Sequence, residues 1–362
     1  MQPKPAMTAG SAGRHACTVV DWATVRFKSE GPPIRVGTEC SGLELVMVAL
    51  DHMGLGRRAQ LRFVCEKDVA ARKFILAHRS PEVTFTDITT RSVKGMPTCD
   101  IYAAGFPCQP WSAAGLGQGT HDKLGRGLIF PHILDYVRKK TPKAFILENV
   151  KGLTMSTHKA SFNEMLATLR ADSLYAVTWR VVNTANYGLP QNRPRVYIIG
   201  LRRSALVGDI SSFKWPRPDL TPCINLKAYL ERDAVRGQPT PGTVASGNIK
   251  RLKAMLAQKG INVSQTVCAL DIFASQARAV VGKVPCLTRS RAGAGGYWLT
   301  SVNGLLTTRE MLRLQGLPDS FSDIARKAGI RDRQLRQMIG NAMSVNVLVR
   351  VLSKILPALG FT

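Results

Sequence analysis

From Ile34 onward, apolar positions along the 362-residue chain fall into two alternating rhythms. Compact apolar runs predict strands at Ile34–Thr38, Leu61–Cys65, Val83–Phe85, Asp100–Ala104 and Ala144–Leu147. Between them, helical spacing predicts Leu43–Met53, Val69–His78, Leu128–Lys140 and Ser161–Arg170. The first of these is apolar on most faces, as in a buried helix. The last gathers Phe162, Met165, Leu166 and Leu169 on one side. Tyr175–Asn183 and Arg195–Leu201 read as two further strands.

Strands alternating with helices predict an α/β fold, a parallel sheet with helices on both faces. Ligands in such sheets bind beyond the carboxyl ends of the strands. Thr38–Gly42, Glu66, Asp87, Cys108 and Glu148 all fall at those ends and are expected along one edge. After Leu201 the rhythm stops, and Pro216, Pro218, Pro222, Pro239 and Pro241 interrupt the chain. A boundary is expected near Arg202, giving one domain over 34–202 and a smaller, irregular one over 203–324. Within 203–300 only a short helix near Leu252–Gln258 stands out. A long helical pattern over 333–356 is expected to return to the first domain and to end at Pro357. Residues 1–33, rich in Pro, Gly, Ser and Ala, read as a disordered extension.

Charge narrows the partners. The chain carries 50 basic and 24 acidic residues, and residues 200–340 alone hold 22 and 9 of them. A dispersed surplus of this size favours a polyanion such as nucleic acid over a merely basic surface. No apolar run approaches bilayer length, so a soluble protein with no membrane partner is expected. A secretory signal core is also missing, which predicts a cytoplasmic location, or a nuclear one in a eukaryote. The eight cysteines form no CxxC pair and have no neighbouring histidine cluster, so neither a zinc site nor a disulfide framework is expected.

One cysteine stands apart. Gly105-Phe106-Pro107-Cys108-Gln109-Pro110-Trp111-Ser112 puts Cys108 on a turn just after a strand, where a thiol is a candidate nucleophile. Glu148, at the end of the next strand, brings a carboxyl to the same edge; its alternative reading is a helix cap. Gly115, Gly117, Gly119 and Gly125 follow Cys108 and predict a mobile loop.

Six ordered blocks then carry a resemblance: GFPCQPWS at 105–112, RGLIF at 126–130, ENV at 148–150, QNRPR at 191–195, LTTREMLRLQGLP at 306–318 and QMIGNAM at 337–343. Together they resemble the C5-cytosine DNA methyltransferase family, with its Rossmann-like class I methyltransferase fold. The resemblance implies S-adenosylmethionine as methyl donor, double-stranded DNA as partner, no metal and a monomer. It makes 34–202 the catalytic and cofactor-binding domain and 203–324 the target-recognition domain. In the implied chemistry Cys108, flanked by Pro107 and Gln109, adds to C6 of a flipped cytosine so that C5 can accept the methyl group. Glu148 hydrogen-bonds N3, Arg195 contacts the base, and Arg193 supports the loop. Cys40, Ser41, Gly42, Leu43, Glu66, Lys67, Asp87, Ile88, Gly105, Pro107, Asn341 and Ala342 are the implied cofactor residues. The family usually has an aromatic residue where Cys40 stands and a glycine where Glu44 stands. Lys250, Arg251, Lys253, Arg289 and Arg291 are candidate DNA contacts, and Arg309 is expected to support the docking of that region. A tRNA-methylating branch with the same chemistry and a catalytically impaired DNA-binding homologue are the alternatives. The tRNA branch has a Cys-Phe-Thr signature that is missing here.

Overall fold

The computed structural model describes residues 26–107, 129–219, 225–273 and 277–362. The predicted nucleophile Cys108, Gln109 and the glycine-rich stretch after them lie outside the described residues.

The first part of the chain alternates as expected. It runs β1 (Ile34–Glu39), α1 (Leu45–His52), β2 (Ala59–Cys65), α2 (Val69–His78), β3 (Val83–Phe85), β4 (Ile101–Gly105), α3 (Ile129–Lys140), β5 (Ala144–Val150), α4 (Lys159–Arg170), β6 (Tyr175–Asn183), β7 (Gln191–Asn192) and β8 (Pro194–Arg202). Seven strands form one sheet in the order β3-β2-β1-β4-β5-β8-β6. The sheet is mixed rather than purely parallel, because β8 runs antiparallel to both β5 and β6. The physical reason lies in the connections. Helix α4 carries the chain from β5 to β6 as a crossover, whereas only residues 184–193 join β6 to β8, too short for the helix a parallel return requires. The returning strand fills the gap left between β5 and β6.

Side-chain alternation divides the apolar residues into two cores. Ile101, Ala103, Ala144, Ile146 and Ile199 face one side with α1 and the C-terminal helices. Tyr102, Ala104, Phe145, Leu147 and Ile198 face the other, against α3 and α4. This period-two split is what a sheet buried on both faces demands.

The second part is more ordered than its pattern suggests. It holds α5 (Val244–Gln258), β9 (Cys268–Asp271), β10 (Arg278–Val281), β11 (Val284–Pro285), α6 (Arg289–Gly293), β12 (Trp298–Leu299) and β13 (Gly304–Leu305). Four of these strands form a second sheet, β10-β9-β12-β13, and α5 packs on it through Leu252, Leu256 and Trp298. Strands of two to four residues carry too few side chains to show a period, which is why the sheet was not foreseen. Strand β11 instead pairs in parallel with β7, tying the second part to the first.

The chain closes with α7 (Thr308–Leu314), α8 (Ser320–Lys327), α9 (Asp332–Asn341) and α10 (Val345–Ala358). Helices α7 and α8 bury Met311, Leu312, Leu314 and Phe321 in the same core as Ile101 and Ile146 of the first sheet, a core that also takes in Ala269 and Leu299 of the second. Where one helix was expected over 333–356 there are two, bent by 42° at Ala342, which is extended at φ −64° and ψ 145°. The final helix also runs one residue past Pro357. At the other end, Arg58 is buried and donates to the carbonyls of Lys28 and Pro32, so part of the expected extension is fastened down.

Gly340 shows how closely the two parts meet. A Cβ there would lie 2.5 Å from the backbone of Thr288, just before α6. Gly340→Ala should therefore push α9 off α6 and destabilise the protein by about 1–3 kcal/mol. The midpoint of denaturant unfolding measures this, and an unchanged midpoint would show that the junction can yield.

Candidate functional site

The carboxyl ends of β1 to β5 open on one cavity of about 1190 Å³. Its walls include the β1–α1 turn, the β2 and β3 ends, Gly105 to Pro107, Glu148, Arg193, Arg195, the start of α6 and the α9–α10 break. Every expected catalytic and cofactor residue within the described part lines it; Cys108 and Gln109 lie outside the described residues, which break off at Pro107.

On one side, the turn after β1 is built around Thr38. Its hydroxyl lies 2.8 Å from the Ser41 Oγ and 2.6 Å from Glu44 Oε2. Ser41 also accepts from the Cys65 amide at 3.3 Å, joining the ends of β1 and β2. Cys40, Gly42 and Glu44 all have positive φ, of 51°, 56° and 58°. Only glycine takes that conformation without strain. Nothing lies within 4 Å of the Cβ that Gly42 lacks, so the turn is open there. Glu66 Oε2 accepts the Gly42 amide and Oε1 the Asp68 amide, both at 2.8 Å. Asp68 in turn caps α2. Asp87 pairs with Lys67 at 2.8 Å and accepts from Thr89, which together hold its carboxyl down at about 2. Leu43 and Ile88 are buried and supply apolar wall. Burial, with Glu66 and Glu39 nearby, pushes the Cys40 thiol well up, so it stays protonated.

On the other side, β4 and β5 place Gly105 opposite Glu148. Burial pushes the Glu148 carboxyl up, against the pull of Arg195 and Arg193. Arg195 Nε stands 3.1 Å from Glu148 Oε1, an ion pair by distance. Its N–H is not aimed at that oxygen, and the buried Oε1 has no hydrogen-bond donor. Glu148 caps no helix: the short 3-10 turn after β5 starts at Val150 with no side-chain cap. Arg193, also buried, donates to the carbonyls of Leu287, Gly340 and Ala342 at 2.6, 3.3 and 2.5 Å. The Ala342 carbonyl thus faces Arg193, while Asn341 is exposed at the cavity wall.

Several participants escaped the sequence pattern. Asn149 donates to the Phe106 carbonyl at 3.3 Å and so ties the end of β5 to the residue after β4. Gln191 Nε2 reaches the Leu314 carbonyl and Gln315 Oε1, and Gln315 Nε2 reaches Ile339 and Ala342. These amides form a buried polar seam where β7, α7 and the α9–α10 break meet. Glu310, rather than Arg309, anchors its neighbourhood. It completes a capping box with Thr307 and holds Arg236, whereas Arg309 lies 3.8 Å from Glu231 near the surface. The Thr-x-x-Glu spacing was a legible signal for it. Of the five candidate DNA contacts, Arg289 lines the cavity wall, where Arg333 and Arg336, which the sequence did not single out, stand with it. Arg291 is spoken for by Asp271 and the Phe273 carbonyl, and Lys253 sits 4.6 Å over the Trp298 ring.

The sequence pattern of C-5 cytosine-specific DNA methylases matches residues 40–357. The chain belongs to that family. Membership makes the reaction methylation of DNA cytosine at C5. Similar curated proteins are the Type II methyltransferases M.NgoBI of Neisseria gonorrhoeae and M.HaeII of Haemophilus aegyptius. M.NgoBI is 37% identical over 288 residues, which is 79% of this chain and 83% of the relative. M.HaeII is 36% identical over 273 residues, 74% and 77% of the two chains. Both come from bacteria, which gives no support to a nuclear location. Entamoeba histolytica methyltransferase EhMeth shares the fold at a TM-score of 0.62, with 16% identity over 90% of this chain and 99% of that one. S. pombe Dnmt2 shares it at 0.59, with 17% identity over 91% and 100%. No group of metal-ligating side chains occurs among the described residues. No single helix among them is long and apolar enough to cross a membrane.

Glu44 is the methylase's odd feature, a fully buried acid whose carboxyl burial pushes up to about 7. From pH 4.5 to about 7 the unfolded chain ionises there while the native state keeps its proton. The native state therefore binds more protons and loses stability across that window, by about 3 kcal/mol in all, with no further loss above it. Glu44→Gln should remove this slope. The check is denaturant unfolding at pH 4.5 and pH 8, and a variant that keeps the wild-type difference between the two would refute the assignment.

Proposed function

We propose that the cavity methylates a cytosine drawn out of double-stranded DNA, with Cys108 as nucleophile, Glu148 as its acid partner and S-adenosylmethionine as methyl donor. The observation that carries the reading is Glu148 itself. A buried carboxyl inclined to keep a proton, with one oxygen lacking a donor, opens on a cavity a few residues from Cys108. That is the arrangement a pyrimidine N3 requires if it is to be hydrogen-bonded by an acid.

The β1–α1 side suits the donor. The acceptor oxygens of Glu66 at the β2 end fit ribose hydroxyls, and the uncrowded Gly42 leaves the turn open for close approach. Cys40, Ser41 and Leu43, with Lys67, Asp87 and Ile88, would form the walls for the nucleoside. Gly105, Pro107, Asn341 and Ala342 would close the end nearer the base. When bound, the donor supplies an electrophilic methyl group.

The chain's own residues do the rest. The Cys108 thiolate adds to C6, opening the C5–C6 double bond and placing an electron pair on C5 and, by conjugation, on N3 and O2. Glu148 donates to N3 and Arg195 offers a cation to O2 as that charge grows. Once C5 carries the methyl group, a water molecule takes the C5 proton, the C5–C6 double bond re-forms and the C6–S bond breaks to release the thiolate. Gln109 and Pro107 would shape the turn that presents Cys108. Arg193 supports the loop, a role that its bonds to three carbonyls favour. Extruding the base exposes C5 and C6, which are shut inside a stacked duplex.

Residues 203–305 with their second sheet would read the target, and Arg289 at the cavity edge is placed for a phosphate or base. Similarity to Type II methyltransferases over most of their length favours a short specific DNA site. One monomer holds all the residues this reading needs.

Two experiments test it. Cys108→Ser should abolish methyl transfer while leaving the fold intact, and DNA containing 5-fluorocytosine should trap wild-type protein through Cys108, located by mass spectrometry. Turnover by the serine variant, or an adduct at another cysteine, would overturn the nucleophile. Glu148→Gln should lower kcat about 100-fold or more with little change in DNA affinity. Bisulfite sequencing of methylated DNA and tRNA pools separates the substrates: marks confined to tRNA would reject the DNA reading.

A further inference from the structure

Strand β11 pairs with β7 in parallel, Val284 opposite Gln191 and Pro285 opposite Asn192. The next residue along, Cys286, is thereby brought against the Arg193-Pro194-Arg195 segment. Its sulfur lies 3.3 Å from Arg193 Nη1 and 3.4 Å from Arg195 Nη2. No other described cysteine touches a guanidinium by hydrogen bond.

We propose that Cys286 is a positioning residue of the methyl-transfer site: its sulfur, delivered by the second part of the chain, holds Arg193 and Arg195 in place and keeps Arg195 against Glu148. The inference rests on the role given to Glu148 above and adds a residue to it.

The charge balance supports it. Two guanidiniums face one carboxyl whose burial favours the neutral acid. Around the sulfur the described charged and titratable groups are Arg193 and Arg195 beside β7 and β8, Glu148 on β5 and Tyr197 on β8, with Tyr297 donating its hydroxyl to the Cys286 carbonyl at 2.9 Å. Among them, the Cys286 sulfur accepts a hydrogen bond from both guanidiniums. Burial alone would push it up, but the two arginines outweigh that and hold it below the ordinary thiol value. The other four described cysteines, at 40, 65, 99 and 268, are all pushed the opposite way.

The protonated thiol donates to the Leu287 carbonyl at 3.5 Å, and as it loses that proton its charge shields Glu148 from the arginines. That lets Glu148 keep its proton to a higher pH, where Cys108 is more readily ionised. Positioning and protonation are thus coupled through Arg195. The contact also links the part of the chain that would read DNA to the acid that would act on the base.

The test compares wild type, Cys286→Ala and the near-isosteric Cys286→Ser, each checked for a native thermal transition, in steady-state methylation from pH 6 to 9. Loss of the sulfur should lower kcat about tenfold or more with KM for the donor little changed. In both variants the alkaline limb of the kcat profile should move to lower pH, because Glu148 then faces the arginines unshielded. A packing role alone would lower kcat equally at every pH. Wild-type kcat in Cys286→Ala, or a limb that does not move in either variant, would overturn the proposal. The 5-fluorocytosine adduct separates the two readings: if wild type forms it at Cys108 and the variants behave like wild type, only the Cys286 inference fails. If wild type forms none, both fall.

Discussion

A guanidinium buried at the centre of the molecule sets the constraint from which much of the site follows. Arg193 is 1% exposed and has no carboxylate within ion-pair distance among the described residues. A buried cation is costly unless its donors are satisfied. Here its Nη1 and Nη2 donors are met by carbonyls from Leu287 in the second part, from Gly340 and Ala342 at the α9–α10 break, and by the Cys286 sulfur, while its buried Nε has no partner among the described residues. Those partners come from two separate stretches of chain, 286–287 and 340–342, so satisfying one side chain brings both to the segment that carries Arg193. The bend at Ala342 and the absence of a side chain on Gly340 serve the same end, turning carbonyls inward and letting α6 approach.

The fold around this point separates two tasks on either side of one cavity. Parallel strands β1 to β5 deliver turn residues suited to a nucleoside, and the antiparallel insertion of β8 brings Arg195 across from Glu148 at the Val150 end of β5. Had β8 returned in parallel, its amino-terminal arginine would lie at the far edge of the sheet. A register detail therefore decides whether the acid has a cation beside it.

The motif blocks were legible as chemistry. Gly42, Glu66, Asp87 and Glu148 were expected at strand carboxyl ends, and they line the same cavity because parallel strands all point those ends to one edge. Glu44 could be seen to stand where the family has glycine, but its burial, and the proton this favours, depend on surrounding layers that sequence does not display. Asn149 sat unremarked beside Glu148, since its bond to Phe106 joins residues 43 apart. Cys286 gave no local signal at all; its neighbours are 91 and 93 positions away.

Local periodicity determined the alternating strands and helices, and turn chemistry determined which polar groups would end up at the strand tips, because both depend on residues a few positions apart. Ordered motifs determined the family. Tertiary structure alone decided that one strand reverses, that the last helical stretch breaks in two, that a second sheet forms from strands too short to show a period, and which thiol meets the arginines. Each of these turns on satisfying buried polar groups or packing surfaces distant in sequence. Such constraints exist only once the chain has closed on itself.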